Sequence, residues 1–259
     1  MNASLDLELQ VAVAKVSKYA VSESGDTVET IERPHGGLSL VVVDGQRSGK
    51  SAKAISNIVA RKAVSLIADG VRDGAVARAA HDYLRTLRSG QVSATLDIVS
   101  VDLVTRTIVV SRNSHCPVIV VDSSGVRLLD EPSEPIGIHA RTRPVITELP
   151  IALDTHLVAL TDGVLTAGQQ WGECLDVPAF VVRSLGLGLP SVAGLPAVGT
   201  GADRLQDAGC ASALAEALLA RAVELERGRP IDDISVVVLS VVARREPTSV
   251  RRLTVCFPI

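Results

Sequence analysis

The sequence predicts an α+β fold, a sandwich of two antiparallel sheets covered by pairs of helices. The first observation is the order of the predicted elements: strands, two helices, a run of strands, one or two helices and a last strand. The second is the shortness of the turns at 104–106 and 123–125, because parallel neighbours need a crossover of about a dozen residues. The third is composition: 47% of residues are hydrophobic but 2% are aromatic, which suits β-branched strands and alanine-rich helices.

The first third of the chain contains two predicted strands and two predicted helices. Residues 5–16 alternate polar and apolar side chains, which indicates a half-buried strand. The segment 17–37 is polar and rich in turn-forming residues, and the apolar segment 38–43 is predicted to be a short strand. Apolar residues then recur at helical spacing over 52–68 and 76–87, which predicts two amphipathic helices.

The middle of the chain changes to a run of strands. The segments SATLDIVSVDL, RTIVVSR and CPVIVVDSSGVRLL are predicted to form successive antiparallel strands. After the loop PSEPIGI come a strand that ends in ELP and the strand HLVALT. A helix is predicted around WGECLDVPAFVVRSLG and a stronger one over 211–226, followed by the last strand, ISVVVLSVV.

The domain organisation follows from this pattern. We expect a single domain over 1–243. Within it, the segment 187–208 is rich in Gly, Pro and Ala without clear periodicity, so we expect it to form a mobile excursion. The segment 244–259 is predicted to be a charged C-terminal tail.

Composition excludes several classes of partner. The net charge of −3 is scattered, without a basic stripe and interleaved aromatic residues, so nucleic acid is not an expected partner. No apolar run approaches the ~20 residues of a membrane span, so no membrane partner is expected. The N-terminal residues do not resemble a signal peptide, and the four cysteines show no CxxC spacing. We therefore expect a soluble, cytoplasmic protein with reduced thiols.

The stretch LVVVDGQRSGKSAK allows a phosphate-binding loop or a catalytic carboxylate. A nucleotide-binding P-loop needs G-x-x-x-x-G-K-[ST], because the intervening residues curl their N–H groups around the phosphates. Counting back from Gly49, Lys50 and Ser51, the first glycine would stand at position 44, which is Asp44. The predicted antiparallel strands also differ from the parallel sheet of such enzymes. A P-loop-like nucleotide hydrolase stays a remote alternative, because HLVALTD resembles a magnesium-holding strand end.

Acidic residues stand at the ends of several predicted strands. Each has a structural explanation, since Asp-Gly is a common turn. Together they suggest a cluster of carboxylates at one sheet edge, which would repel itself without a counter-ion. Mn²⁺ or Mg²⁺ prefers such oxygen ligands, and two ions can lower the pKa of a shared water. The acidic positions are Asp26, Asp44, Asp162, Asp232 and Asp233, and Gly follows two of them, at Gly45 and Gly163.

Four motifs in order, SGDTVE, VVVDGQRSGKSA, LTDGVL and DDISVVVLSV, resemble the metal-dependent protein phosphatases of the 2C type. The similarity is greater to the bacterial branch typified by the stage II sporulation E phosphatase. It spans roughly 5–242 and includes the central strands and the loop EPIGI. The resemblance implies a four-layer αββα sandwich, a pair of Mn²⁺ or Mg²⁺ ions, and a hydroxide between them that hydrolyses phosphoserine or phosphothreonine on a protein.

The resemblance also implies roles for single residues. Asp44 would bridge both metals, and Gly45 would offer its carbonyl. Asp162 and Asp232 would hold the ion on the other side, so that Asp44, Asp162 and Asp232 form the catalytic set. Asp26 matches the family's early acidic residue. Asp232 fits the family spacing better than Asp233, which is a further candidate ligand or a partner of the ligands.

Two positions depart from the pattern of many relatives. Gln46 stands where eukaryotic relatives place a histidine that protonates the leaving oxygen, so in this chain water would protonate the leaving oxygen. Arg47 stands where bacterial relatives have a small residue, and it is a candidate for contacting the substrate phosphate. The implied partner is a phosphorylated regulatory protein of stress or sporulation signalling, such as an anti-sigma-factor antagonist or a stressosome protein. Because of Gln46 and Arg47, a binding module that kept the fold and lost turnover stays an alternative.

Overall fold

The computed structural model describes residues 6–34, 36–187, 210–244 and 250–256. The described strands are β1 (Leu7–Val16), β2 (Asp26–Glu32), β3 (Gly37–Gly45), β4 (Ala94–Asp102), β5 (Thr107–Asn113), β6 (Val118–Asp122), β7 (Gly125–Leu129), β8 (Val145–Pro150), β9 (Thr155–Leu160) and β10 (Ile234–Ala243). The described helices are α1 (Gly49–Ala68), α2 (Asp73–Leu87), α3 (Asp162–Leu165), α4 (Val177–Ser184) and α5 (Cys210–Leu225), with a 3₁₀ turn at Gln169–Trp171.

The strands form two five-stranded sheets in which every pair of neighbours is antiparallel. Sheet I has the order β1-β10-β9-β6-β7, and sheet II has the order β2-β3-β4-β5-β8. The chain crosses from sheet II to sheet I between β5 and β6, and it crosses back between β7 and β8. Both sheets are therefore assembled from distant parts of the sequence.

Three hydrophobic clusters join the layers. The inner faces of the sheets pack on each other through residues such as Leu40 and Val42 of sheet II and Leu157 of sheet I. The outer face of sheet II packs on α1 and α2, and the outer face of sheet I packs on α4 and α5. Strand residues alternate between the two faces, so central strands such as β3, β4 and β10 contribute to two clusters. The result is the four-layer αββα sandwich predicted from the sequence.

One strand was missed. Strand β2 lies within the segment 17–37, which the sequence analysis treated as polar and turn-rich. It is an edge strand, so the pattern DTVETIE carries only Val28 and Ile31 as large apolar residues, and Glu29 and Thr30 are exposed. Its seven residues pair in register with β3, and that pairing supplies the order that the sequence pattern does not show.

Two predicted segments are described only in part. The predicted excursion over 187–208 lies outside the described residues apart from Leu187. Residues 250–256 of the predicted tail are exposed and have no regular structure, and Arg251 forms an ion pair of 2.7 Å with Glu32 of β2. Within the described ranges, none of the helices combines the length and the apolar character that crossing a bilayer requires.

Candidate active site

The acidic residues meet at one end of the sandwich because of how the strands pair. In sheet II, Asp26 at the start of β2 stands opposite Asp44 near the end of β3. In sheet I, the end of β9 lies beside the start of β10, where the backbone N–H of Thr161 donates to the carbonyl of Ser235 over 3.1 Å. Asp162 follows β9 directly, and Asp232 precedes β10, so all these segments end at the same edge.

This edge carries a cleft of about 340 Å³. Asp44 and its two successors come from sheet II, whereas Asp162 and Asp232 come from sheet I. The structure therefore brings together three aspartates that are far apart in sequence. The lining residues are Lys18, Asp44, Gly45, Gln46, Arg47, Ser48, Ser93, Ala94, Thr95, His115, Pro135, Asp162 and Asp232.

Asp26 lies behind the cleft and links the two sheets. Its Oδ2 atom accepts hydrogen bonds from the hydroxyl of Thr161 over 3.0 Å and from that of Ser235 over 2.5 Å, both in sheet I. Its Oδ1 atom is buried and has no hydrogen-bond partner among the described residues. Burial raises the pKa of Asp26. A buried carboxylate oxygen without a donor is costly unless a cation or a proton occupies the space beside it.

The electrostatics of the cleft favour a bound cation. Burial raises the pKa of Asp44, and the neighbouring carboxylates of Asp26, Asp162 and Asp232 raise it further. Burial also raises the pKa of Asp232, while Lys18 acts in the opposite direction. These carboxylates therefore disfavour one another's charge, and a divalent cation would remove that penalty.

Asp233 has a different environment from Asp232. The Asp233 carboxylate is buried and accepts from the backbone N–H of Lys18 over 2.9 Å and from that of Gly25 over 2.7 Å. It thus ties the loop between β1 and β2 to the start of β10. Asp232 faces the cleft, and its Oδ1 accepts from the backbone N–H of Asp233 over 2.9 Å. The ligand roles predicted for Asp26, Asp44, Asp162, Asp232 and Asp233 stay predictions.

The glycines after Asp44 and Asp162 are required by packing. A Cβ atom at Gly45 would lie 2.2 Å from the carbonyl oxygen of Ala52 in α1. A Cβ atom at Gly163 would lie 2.1 Å from the carbonyl oxygen of Asp233. Both distances are far below van der Waals contact, so only glycine allows these strand ends to approach their neighbours. The family resemblance implies a role for the carbonyl of Gly45, and the structure adds a steric reason for glycine at this position.

The donors of the cleft suit a hard cation by their chemistry. They include the carboxylates of Asp44, Asp162 and Asp232, and behind them lies the Asp26 oxygen that has no hydrogen-bond partner among the described residues. In the part of the chain that the structure describes, no three His, Cys, Asp or Glu side chains are grouped closely enough to hold an ion as they stand. The lining residues therefore suit a divalent cation by the chemistry of their donor atoms and by their charge.

The two departures from the family pattern lie in the cleft. The side-chain oxygen of Gln46 accepts from the backbone N–H of Ser93 over 3.1 Å, so this side chain braces the neighbouring loop. Arg47 lines the cleft with a left-handed backbone at φ 78°. Lys50 is exposed at the start of α1 and does not line the cleft.

Three further lining residues received no role from the sequence, namely Lys18, Thr95 and His115. The hydroxyl of Thr95 accepts from the backbone N–H of Asp44 over 3.2 Å, and Thr95 stands opposite Asp44 in the register of β3 and β4. His115 lies in the connection from β5 to β6, which crosses between the sheets at the cleft. The sequence held one signal for His115. It lies in the turn after β5, and a turn that joins two sheets lies at an edge of the sandwich, where strand ends also lie.

The fold of two antiparallel sheets with flanking helices is shared with solved 2C-type phosphatase domains. The phosphatase domain with part of the regulatory domain of SpoIIE from Bacillus subtilis matches with a TM-score of 0.72 and 16% identity, over 93% of this chain and 65% of that chain. The RsbU and RsbW domains of a Mycobacterium tuberculosis protein match with a TM-score of 0.69 and 18% identity, over 93% and 62% of the two chains. The catalytic domain of the serine/threonine phosphatase PstP, in complex with two manganese ions, matches with a TM-score of 0.64 and 13% identity, over 92% and 100%.

The family assignment comes from the sequence. The family model of stage II sporulation protein E (SpoIIE) matches residues 34–242, which is most of the chain. This chain therefore belongs to the SpoIIE family. No curated protein sequence matches it. The solved structures share the fold at low identity, and this chain spans about two thirds of the first two.

Proposed function

We propose that this chain is a metal-dependent protein phosphatase that removes phosphate from serine or threonine of a regulatory protein. The observation that supports the proposal is the convergence of Asp44, Asp162 and Asp232 on one cleft, with buried Asp26 behind them. Their mutual repulsion, together with membership of the SpoIIE family, favours divalent cations as the missing counter-charge.

Two Mn²⁺ or Mg²⁺ ions would be held by the carboxylates of Asp44, Asp162 and Asp232 and by the carbonyl of Gly45. When bound, such ions lower the pKa of water and offset the charge of phosphoryl oxygens. Asp26 holds the two sheets in register beneath this set through its hydrogen bonds to Thr161 and Ser235. Asp233 orders the approach of the β1–β2 loop in the same way.

Other side chains of the cleft supply binding and proton transfer. Lys18 and Arg47 offer positive charge to a phosphate dianion at the cleft. Gln46 has no proton to give at neutral pH, and its oxygen is engaged by Ser93. His115 is the one imidazole among the lining residues, so it takes the part of proton donor to the leaving serine oxygen in this proposal.

The proposed partner is a phosphorylated regulator of the anti-sigma-factor antagonist or stressosome type, and the proposed location is the cytoplasm. Support comes from the SpoIIE family match and from the structural similarity to an RsbU domain joined to an RsbW domain. The antiparallel sheets give no support to a P-loop nucleotide hydrolase, since such enzymes alternate strand and helix around a parallel sheet.

The test is hydrolysis of a phosphoserine peptide with and without Mn²⁺. We expect Mn²⁺-dependent release of phosphate by the wild type and loss of turnover in Asp44→Asn. Asp69→Asn, an exposed residue after α1, is the matched control and should retain full activity. If the folded wild type binds Mn²⁺ but releases no phosphate, the binding-module alternative replaces the enzyme. Magnesium-dependent ATP turnover that survives Asp44→Asn would support the nucleotide alternative.

A further inference from the structure

A basic and aromatic surface adjoins the cleft on the side of sheet I. It consists of Lys18, Tyr19, Trp171, Arg227 and Arg229, and we call it the basic rim. Tyr19 and Trp171 are exposed by 55% and 45%, so both rings belong to the surface of the molecule. The rim is continuous with the cleft, because Lys18 lines it and precedes Tyr19 in the chain.

The two arginines of the basic rim are held by aromatic rings. The guanidinium of Arg227 lies 3.7 Å from the ring centre of Trp171, and that of Arg229 lies 5.3 Å from the ring centre of Tyr19. Stacking on a ring restrains a guanidinium and leaves its N–H edges free for carboxylate. Among the described residues, neither arginine forms an ion pair, although a buried acid, Glu226, directly precedes Arg227.

Glu226 does not pair with the arginines of the basic rim, because its carboxylate accepts hydrogen bonds from the segments that carry the rim residues. Its carboxylate accepts from the backbone N–H of Gly168 over 2.7 Å, from the amide of Gln170 over 2.9 Å and from the backbone N–H of Ile231 over 3.2 Å. These bonds fix the turn that carries Trp171 to the segment that carries Arg227 and Arg229. The backbone N–H of Tyr19 also donates to the carbonyl of Pro230 over 2.8 Å. The rim is therefore a fixed surface.

We propose that the basic rim is a docking surface for an acidic segment that flanks the phosphorylated residue of the partner protein. This inference rests on the proposed function and names the substrate class. The chain as a whole carries a net charge of −3, so a group of three cations stands out on its surface. Among the described residues Lys18, Arg227 and Arg229 form no ion pair, and together they favour a negatively charged partner at this place. A partner with basic residues in this position would meet Lys18, Arg227 and Arg229 and be repelled.

The test uses three peptides of equal length that differ only in the residues beside a central serine: four Glu, four Gln or four Lys. Their unphosphorylated forms are titrated into the Mn²⁺-loaded chain, and the emission of Trp171, the one tryptophan of the sequence, reports binding at the rim itself. We expect the Glu peptide to bind roughly tenfold more tightly than the Gln peptide, and this preference to vanish at about 0.5 M salt.

The variant Arg227→Gln/Arg229→Gln should remove that roughly tenfold preference, because two exposed ion pairs are lost. The matched control is Arg61→Gln/Arg78→Gln, which removes two exposed arginines from α1 and α2 on the other side of the molecule. Hydrolysis of the phosphorylated Glu peptide should fall in the rim variant by the same factor, while that of p-nitrophenyl phosphate is unchanged.

Equal affinity for the Glu and Gln peptides, a preference for Lys, or an equal loss in the control variant would overturn the inference. So would a dimer of the wild type that dissociates in the rim variant, because the surface would then hold a second copy of the chain. A wild type that binds the Glu peptide selectively but hydrolyses none of the phosphorylated forms would contradict the phosphatase proposal alone.

Discussion

Replacing Gly163 by alanine perturbs the cleft without removing any acidic group. The new Cβ atom would lie 2.1 Å from the carbonyl oxygen of Asp233 and 3.0 Å from its carbonyl carbon. Ordinary contact begins near 3.4 Å, so the two segments must separate by roughly 1.3 Å. Because the obstacle is backbone at the start of β10, no side-chain rotation relieves it. The separation moves Asp162 away from Asp232.

The expected cost of Gly163→Ala has two parts. Overpacking at a site of this kind lowers the free energy of unfolding by about 1–3 kcal/mol. A misplacement of about 1 Å in a catalytic arrangement lowers turnover by roughly 100-fold. The first value is measured by urea unfolding, and the second by Mn²⁺-dependent hydrolysis of a phosphoserine peptide under conditions where the variant is folded.

Gly74→Ala is the control for this experiment. Gly74 lies in α2, and its new Cβ atom would meet only the end of the half-exposed Ile146 side chain, at 2.7 Å, which can rotate away. Alanine is also the better helix former, by about 1 kcal/mol. We expect full activity and unchanged or higher stability. A Gly163→Ala variant that matches the wild type in both stability and turnover would refute the steric argument for the Asp-Gly pairs.

Three further predictions concern buried or cleft residues. Burial raises the pKa of Asp97 from 3.8 to about 7. The folded state therefore favours the protonated carboxyl, and stability falls as pH rises from about 4 through about 7. Measured by urea unfolding, the free energy of unfolding should fall by on the order of 3 kcal/mol between about pH 5 and about pH 8, and this fall should be absent from Asp97→Asn. The same pH dependence in the wild type and the variant would contradict the prediction. Glu226→Ala leaves three donors without an acceptor, so stability should fall by about 3 kcal/mol, and a loss well under 1 kcal/mol would argue against its bracing role. His115→Asn should slow phosphoserine hydrolysis by about 100-fold but leave p-nitrophenyl phosphate nearly unaffected, because nitrophenolate leaves without a proton; equal slowing of both would exclude His115 as the donor.

The sandwich could be predicted from the sequence because most of its strands are buried on both faces. Strands β3, β6, β9 and β10 consist mostly of apolar residues, and short turns fix the antiparallel pairs β4–β5 and β6–β7. The edge strand β2 could not be predicted, because its two large apolar residues, Val28 and Ile31, form neither an apolar run nor an alternating pattern. Strand β2 is formed by pairing with β3, and that pairing depends on the folded arrangement of the chain.

Some residues of the candidate site could likewise be predicted from the sequence, and others could not. Asp44 and Asp162 could be identified because each follows an apolar strand and precedes a glycine. The pairing of Asp26 with Asp44 depends on β2, which the sequence did not show. The distinction between Asp232, at the cleft, and Asp233, bound to two backbone N–H groups, depends on the loop between β1 and β2, more than two hundred residues earlier in the chain. Lys18 and His115 reach the cleft through the β1–β2 and β5–β6 connections, which cross between the sheets, so their place depends on which strands share a sheet.

Crystals soaked in Mn²⁺ and measured at the manganese absorption edge would show directly whether the cleft binds metal ions. We expect anomalous peaks in the cleft, within coordination distance of Asp44, Asp162 and Asp232, and their disappearance in crystals of Asp44→Asn. A well-ordered cleft that stays without anomalous density at saturating Mn²⁺, or peaks bound only at other acidic residues, would contradict it.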